Sequence, residues 1–317
     1  MYSLKLLKCN KMIISNKRSL SLLQTAKSVT TPQKGKNHSL LSLVKVVATI
    51  GPASEQLPEL TKVVDAGMKL MRINFSHATY DEADLRTTNL RKYASIKGSN
   101  ENLNSIMLDT QGPEIRTGSF KDVKEVVIET GNRITLTVDE QYKANQSANT
   151  IWISYDLLSE TVKEGSSILL DDGAIELKVD SVEKGKLSCI ALNKGTLGNK
   201  KGVNIPGATV QLPAMSDKDR TDIEWGIKND IDFIAASFTR KAADIKEIRT
   251  YVASLMSKYH PPTHPHPKII SKIESTEALA NFDSILEETD AIMVARGDLG
   301  VEVPMETLTN LQKEIVR

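Results

Sequence analysis

A rhythm that stops and later resumes constrains this chain most. Val44-Lys45-Val46-Val47-Ala48-Thr49-Ile50 is a β-branched run closed by Gly51-Pro52, the pattern of a strand and its stop. A helix-like stretch over residues 57–66 ends at Gly67, a residue that terminates helices readily. Strands are then predicted over 68–75 and 105–109, with a helix over 81–94 between them. Strand, helix, strand, helix, strand is the order of a parallel sheet covered by helices.

From about Pro113 to Pro213 the texture changes. Short runs such as Val126-Val127-Ile128, Ile134-Thr135-Leu136-Thr137-Val138, Ile151-Trp152-Ile153, Ile168-Leu169-Leu170 and Ile175-Glu176-Leu177-Lys178-Val179 alternate with turns such as Asp172-Gly173 and Lys184-Gly185. No convincing helix interrupts them, so this stretch reads as an all-β insert closing into a small barrel. The first rhythm then returns. Ser216 N-caps a helix over 217–228. Strands at 231–235, 268–271 and 291–294 alternate with helices at 241–258, 277–286 and 305–316. A closed parallel barrel needs eight strand–helix units, and six occur here.

Composition narrows the function classes. Lys plus Arg is 41 against 40 Asp plus Glu, a net charge of +1, which excludes a generally basic nucleic-acid binder. No apolar run reaches the ~18 residues of a membrane helix. Cys9 and Cys189 offer no disulfide framework, the usage of a reduced, intracellular chain. Residues 1–45 hold nine Lys or Arg and no acid, leaving 32 basic against 40 acidic residues in the remainder. A basic appendage over 1–42 is therefore expected, either a disordered solvated tail or an organelle-targeting segment.

Catalytic groups in α/β barrels project from the C-terminal ends of the strands, and five strands here end in polar text. The endings are Arg72-Ile73-Asn74-Phe75-Ser76-His77, Asp109-Thr110-Gln111-Gly112-Pro113-Glu114-Ile115-Arg116, Ser237-Phe238-Thr239-Arg240, Lys272-Ile273-Glu274 and Arg296-Gly297-Asp298. Carboxylates on adjacent strands suit Mg²⁺, and arginine and lysine beside them suit phosphate. The residues alone indicate a Mg²⁺-dependent site for a phosphorylated anion.

These motifs, with Thr49-Ile50-Gly51-Pro52-Ala53-Ser54, Lys200-Lys201-Gly202-Val203-Asn204-Ile205-Pro206-Gly207 and the continuation Leu299-Gly300-Val301-Glu302, stand in one order. Over residues 43–317 the chain closely resembles pyruvate kinases. The resemblance implies a (β/α)8 TIM barrel, incomplete here, split over 43–113 and 214–317, with a mobile β-barrel lid domain at 114–213. It implies transfer of the phosphoryl group of phosphoenolpyruvate to ADP, giving pyruvate and ATP, in the cytoplasm unless residues 1–42 direct the chain to a mitochondrion or another organelle. It assigns Mg²⁺ to Glu274 and Asp298, and substrate binding to Arg72, Lys272, Gly297 and Asp298. Lys272 and Arg72 are the catalytic cations. Asn74, Ser76, Asp109 and Thr110 match the family's K⁺ site, and Glu114 marks its K⁺-dependent members. Asn74, Ser76, His77, Arg116 and Lys201 match the nucleotide contacts.

The resemblance also implies homotetramers for full-length relatives, with no nucleic-acid or membrane partner. Gln111 and Ala78 depart mildly from the pattern. Family chains continue beyond the position of Arg317 through two more barrel strands and a further domain. Residues 1–317 alone are therefore expected to fold poorly and lack activity, while the insert survives by itself. The alternatives are an inactive fragment of the family and a Mg²⁺-dependent lyase acting on pyruvate-like substrates. The loop His260-Pro261-Pro262-Thr263-His264-Pro265-His266-Pro267 reads as a proline-stiffened surface loop rather than a metal site.

Overall fold

The computed structural model describes residues 44–97 and 104–317. The basic segment 1–42 and its two readings lie outside these residues. Six parallel strands form one sheet in the order β1 (Val46–Thr49), β2 (Met68–Asn74), β3 (Ser105–Asp109), β12 (Phe233–Ala236), β13 (Lys268–Ile273) and β14 (Ala291–Val294). These are the six strands expected from the sequence, with ends moved by a few residues. β3 and β12 pair directly although 123 residues lie between them in sequence, with Met107 opposite Phe233 and Asp109 opposite Ala235. The sheet is continuous across the insert.

Two faces of this sheet carry two apolar layers. The outer layer packs Ile50, Met71, Ile73, Leu108, Ile234, Ile269 and Ile273 against the helices. The inner layer is Leu70, Met107, Ala235, Ile270 and Met293, one residue from each of five adjacent strands. Alternation along a strand places residues i and i+2 on one face. Burial on both faces explains why these strands read as nearly unbroken apolar runs.

The helix Asp217–Lys228 begins with a reciprocal capping box between Ser216 and Asp219. Near its end Gly226 lies against the sheet. A Cβ there would stand 2.6 Å from Ile231 Cδ1 and 2.8 Å from Leu108 Cδ1. Elsewhere the helices differ from expectation. Residues 277–286 do not make one helix but two, Thr276–Ala280 and Phe282–Glu288. The break is at Asn281, which leaves helical geometry and donates from its side chain to the Arg240 carbonyl, at 3.0 Å. The segment after Pro304 opens with a 3-10 turn, Met305–Thr307, before the helix Leu308–Val316. A helix at Arg296–Glu302 was concealed by Gly297 and Gly300, whose low helix propensity hides short helices.

The insert holds β4–β11, at Glu125–Ile128, Arg133–Thr137, Thr150–Trp152, Ser167–Leu170, Ile175–Glu183, Lys186–Ala191, Gly195–Gly198 and Val203–Asn204. The last three of these escaped the sequence reading. Six of the strands form a sheet in the order β11-β7-β8-β9-β5-β6, and β10 pairs with β4. Residues 115–118 join the two edges of that sheet. Thr117 bridges to Ile153 beyond β6, Arg116 bridges to Gly202 before β11, and Val203 N–H donates to the Ile115 carbonyl at 2.9 Å. The insert is thus closed around its own apolar cluster, centred on Leu136, Ile151, Ile168 and Leu177. It is not wholly free of helix, since Leu158–Thr161 makes one turn and Glu140–Tyr142 a 3-10 turn.

Gly226→Val should force branched methyls into Ile231 and Leu108 and lower stability by about 1–3 kcal/mol, the usual cost of overpacking. A lower denaturant midpoint with an unchanged slope is the expected result.

Candidate active site

Period-two geometry builds the site. Two residues beyond the inner apolar residues Leu70, Met107, Ala235 and Ile270 stand Arg72, Asp109, Ser237 and Lys272. They occupy the same face at the C-terminal ends of four adjacent strands, so the polar layer rests directly on the apolar one. All four are buried, Asp109 completely.

Asp109 is the common partner. Its Oδ2 accepts from Arg72 Nε at 2.6 Å, and its Oδ1 lies 3.1 Å from Lys272 Nζ. Arg72 also donates to Thr49 Oγ1, at 2.8 Å. Lys272 Nζ contacts Glu274 Oε1 at 2.8 Å and donates to Ser237 Oγ at 2.6 Å. Ser237 Oγ in turn donates to the Thr110 carbonyl, at 2.6 Å. Glu274 Oε2 accepts from the Phe238 backbone N–H at 2.5 Å. Two cations and two carboxylates are therefore interleaved in one buried layer.

Burial pulls the Lys272 pKa down, but Glu274 and Asp109 outweigh it and hold the pKa above the ordinary lysine value. Burial pushes Glu274 up to about 7; Lys272 opposes this, and the nearby Asp298 carboxylate reinforces it. Glu114 is also raised, by burial first, against the Arg116 charge and with that of Asp298. Like charges held together in this way are what a divalent cation would relieve.

These groups line a cleft of about 400 Å³ between the sheet and the insert. Arg72, Asn74, Ser76, His77, Arg116, Lys201, Lys272, Glu274 and Asp298 all face it. Asp298 comes from the first turn of the helix Arg296–Glu302 rather than from a strand end. A Cβ on Gly297 would meet nothing within 4 Å, so its backbone is open to approach. Arg116 pairs with Glu114 and donates to the Lys200 carbonyl at 2.7 Å. Lys201 pairs with Asp171 at 3.0 Å. Both cations reach the cleft from the insert.

The four oxygen-bearing residues at 74, 76, 109 and 110 divide into two pairs. Asn74 and Ser76 face the cleft, with Asn74 Oδ1 accepting from Ser76 N–H at 3.1 Å. Asp109 and Thr110 lie beneath it, and the Thr110 hydroxyl binds the Ala235 carbonyl and Ser237 N–H.

Sequence reasoning saw Ser237-Phe238-Thr239-Arg240 as a polar strand ending but gave it no task. Ser237 orders Lys272, and Phe238 offers its N–H to Glu274 from a left-handed backbone conformation, φ 54°. Gly112 fits beneath this turn at φ 80°; a Cβ there would come within 2.8 Å of Ser237 Cβ and Phe238 Cδ2. Arg240 donates to the Val210, Leu212 and Pro213 carbonyls at 3.3, 2.7 and 2.8 Å, fastening the return of the chain from the insert.

The family model for the barrel domain of pyruvate kinase matches residues 41–317. The chain belongs to the pyruvate kinase family. It is 43% identical over 275 residues to a pyruvate kinase of Geobacillus stearothermophilus, covering 86% of this chain and 44% of that one. It is 43% identical over 278 residues to a probable cytosolic pyruvate kinase isozyme of Arabidopsis thaliana, covering 86% and 53%. The crystal structure of a pyruvate kinase from Cryptosporidium parvum superposes with a TM-score of 0.79 at 37% identity, over 86% of this chain and 54% of the other. The chain thus spans about half the length of the curated relatives it matches. These matches support the incomplete TIM barrel and lend nothing to a lyase. No helix among the described residues is long and apolar enough to cross a membrane.

Asp109→Ala would leave Arg72 and Lys272 buried with one carboxylate fewer. Breaking a buried ion network in this way costs about 3–5 kcal/mol, and a denaturant titration against the parent chain should show a loss of that size.

Proposed function

We propose that the intact protein carries out the reaction of its family, moving the phosphoryl group of phosphoenolpyruvate to ADP. The observation that supports this most directly is the meeting of Arg72 and Lys272 with Glu274 and Asp298 at one cleft on the sheet's C-terminal edge. In the reaction the bond from phosphorus to the enol oxygen breaks, and a bond forms to the terminal phosphate oxygen of ADP. The enolate left behind takes a proton at its terminal carbon and becomes pyruvate.

The Glu274 and Asp298 carboxylates suit a hard divalent cation, which keeps few protein ligands and shares its remaining positions with substrate oxygens. Mg²⁺ held there would neutralise charge on the carboxylate and phosphate of the substrate. Arg72, fixed by Asp109 and Thr49, orients the phosphate. Lys272 is held charged by its acidic neighbours and faces the oxygen from which the phosphoryl group departs. A preorganised charge stabilises that transition state without reorganising at the moment of reaction. The open backbone at Gly297 admits the substrate beside Asp298.

Asn74, Ser76 and His77 on the sheet side, with Arg116 and Lys201 on the insert, receive the nucleotide. Residues 114–213 act as the lid domain that carries those two cations. K⁺ is proposed at the oxygen-only donor set Asn74, Ser76, Asp109 and Thr110, with Glu114 close by to balance its charge. The cytosolic name of the Arabidopsis relative supports a cytoplasmic location.

Lys272→Met should lower kcat by several orders of magnitude while changing the phosphoenolpyruvate KM much less, because its charge matters most as the phosphoryl group leaves. Pyruvate formation by the intact protein measures both constants, and a rise in KM alone would remove Lys272 from the chemistry.

The intact protein should also be slow in buffers free of monovalent metal ions and recover with K⁺. Glu114→Lys, by bringing a fixed ammonium to the cleft, should reduce that dependence. Equal rates with and without K⁺ in the parent protein would refute the monovalent site.

A further inference from the structure

The loop that the sequence presents as a proline-stiffened connection meets an acidic turn from another part of the chain. His260 and His264 stack with ring centroids 4.2 Å apart and an interplanar angle of 17°. Asp230, at the turn between the helix Asp217–Lys228 and β12, reaches both of them. Its Oδ1 lies 3.7 Å from His260 Nδ1 and 3.3 Å from His264 Nε2. One ligand atom from each of the three residues lies within 4.8 Å of the others. Both histidines are half-buried.

The tautomer of His260 follows from its other contact. His260 Nε2 lies 2.8 Å from the Ile227 carbonyl. A carbonyl only accepts, so Nε2 carries hydrogen and donates. In the neutral ring this leaves the lone pair of Nδ1 directed toward the Asp230 carboxylate, and 3.7 Å is too long for a proton to bridge the two well. A metal-ligating histidine commonly donates its second ring nitrogen to a backbone carbonyl in this way. Zinc–nitrogen and zinc–oxygen bonds of ~2.0–2.2 Å in a tetrahedral site separate neighbouring ligand atoms by about 3.3–3.6 Å, close to the two histidine–carboxylate separations observed. Because the two rings stack nearly parallel, their in-plane lone pairs converge on one ion once a ring turns out of the stack.

We propose that Asp230, His260 and His264 form a binding site for a borderline divalent transition metal of the Zn²⁺ class, with solvent completing the coordination. Imidazole nitrogens select this class over the hard cations that suit the cleft. The site lies at the opposite end of the sheet from the cleft, where the chain enters β12 and β13, so bound metal would add a tie between two loops that the Lys268 N–H and the Asp232 carbonyl, at 2.8 Å, already join. That end of an α/β barrel serves stability rather than chemistry. Asp230 already holds a left-handed conformation, φ 48°, which asparagine also tolerates. Asp230→Asn therefore removes a charged ligand while keeping the turn.

The test is a Co²⁺ titration of the full chain in excess Mg²⁺, followed by the visible ligand-field bands, with displacement by Zn²⁺ and a parallel Zn²⁺ thermal-unfolding series. One Co²⁺ per chain is expected, displaced by Zn²⁺, with Zn²⁺ raising the unfolding temperature. Asp230→Asn and His264→Ala should each weaken binding by about tenfold or more, beyond the lower end of the range for outer-shell changes, while Asp298→Asn leaves it intact. Absence of ligand-field bands, equal affinity in both loop variants, or loss of binding in Asp298→Asn would overturn the site, the first pointing to a protonated histidine pair instead. Because Asp298 belongs to the cleft, its arm separates this proposal from the proposed phosphoryl transfer.

Discussion

Asp109 is a carboxylate with no exposed surface that holds two cations from two other strands. Without it Arg72 and Lys272 would repel each other in a poorly solvated layer. With it each is fixed by a charged contact of 3.1 Å or less. Burying charges is costly unless they are paired and hydrogen-bonded, and here nearly every bond is to another member of the layer. Ser237 and the Phe238 N–H complete it, so the cleft inherits a preformed arrangement of charge.

That layer exists because the sheet is parallel and alternates with period two. Leu70, Met107, Ala235 and Ile270 pack as an apolar floor, and the next inward residue on each strand is polar. A shift of one residue in any strand would send its polar group to the helix-covered face. The apolar floor and the charged layer are therefore parts of one register, set in part by contacts such as β3 against β12 across the whole insert.

Much of this was legible in the residues. A β-branched run with a Gly-Pro stop and five apolar runs alternating with helical stretches gave the six parallel strands, and the polar endings drew attention to Arg72, Asp109, Lys272 and Glu274. What remained hidden depends on tertiary contact. Asn281 breaks a helix through a bond to the Arg240 carbonyl, which no local propensity encodes. Val203–Asn204 pairs over two residues only, too short to register as a pattern. Thr110 stands beside Asp109 in one motif, but the partners of its hydroxyl, the Ala235 carbonyl and the Ser237 N–H, come from β12 and its end. Asp230 is 30 residues before His260 in sequence, so its approach to the histidine loop emerges only from the pairing of β12 with β13.

The insert bears on the same cleft. Asn204 donates to Glu302 at 3.0 Å, and Arg240 holds the chain as it returns from the insert. Arg116 and Lys201 thus approach the bonded charged layer from a separately closed barrel. The central claim is that this layer prepares Glu274 and Asp298 to hold a hard divalent ion. Electron paramagnetic resonance of free Mn²⁺ during titration of the full chain tests it most directly, in the parent and in Glu274→Gln. The account predicts one Mn²⁺ per chain in the parent and a loss of affinity in the variant greater than the roughly 10–100-fold of outer-shell changes. Equal Mn²⁺ affinity in the two proteins would contradict it.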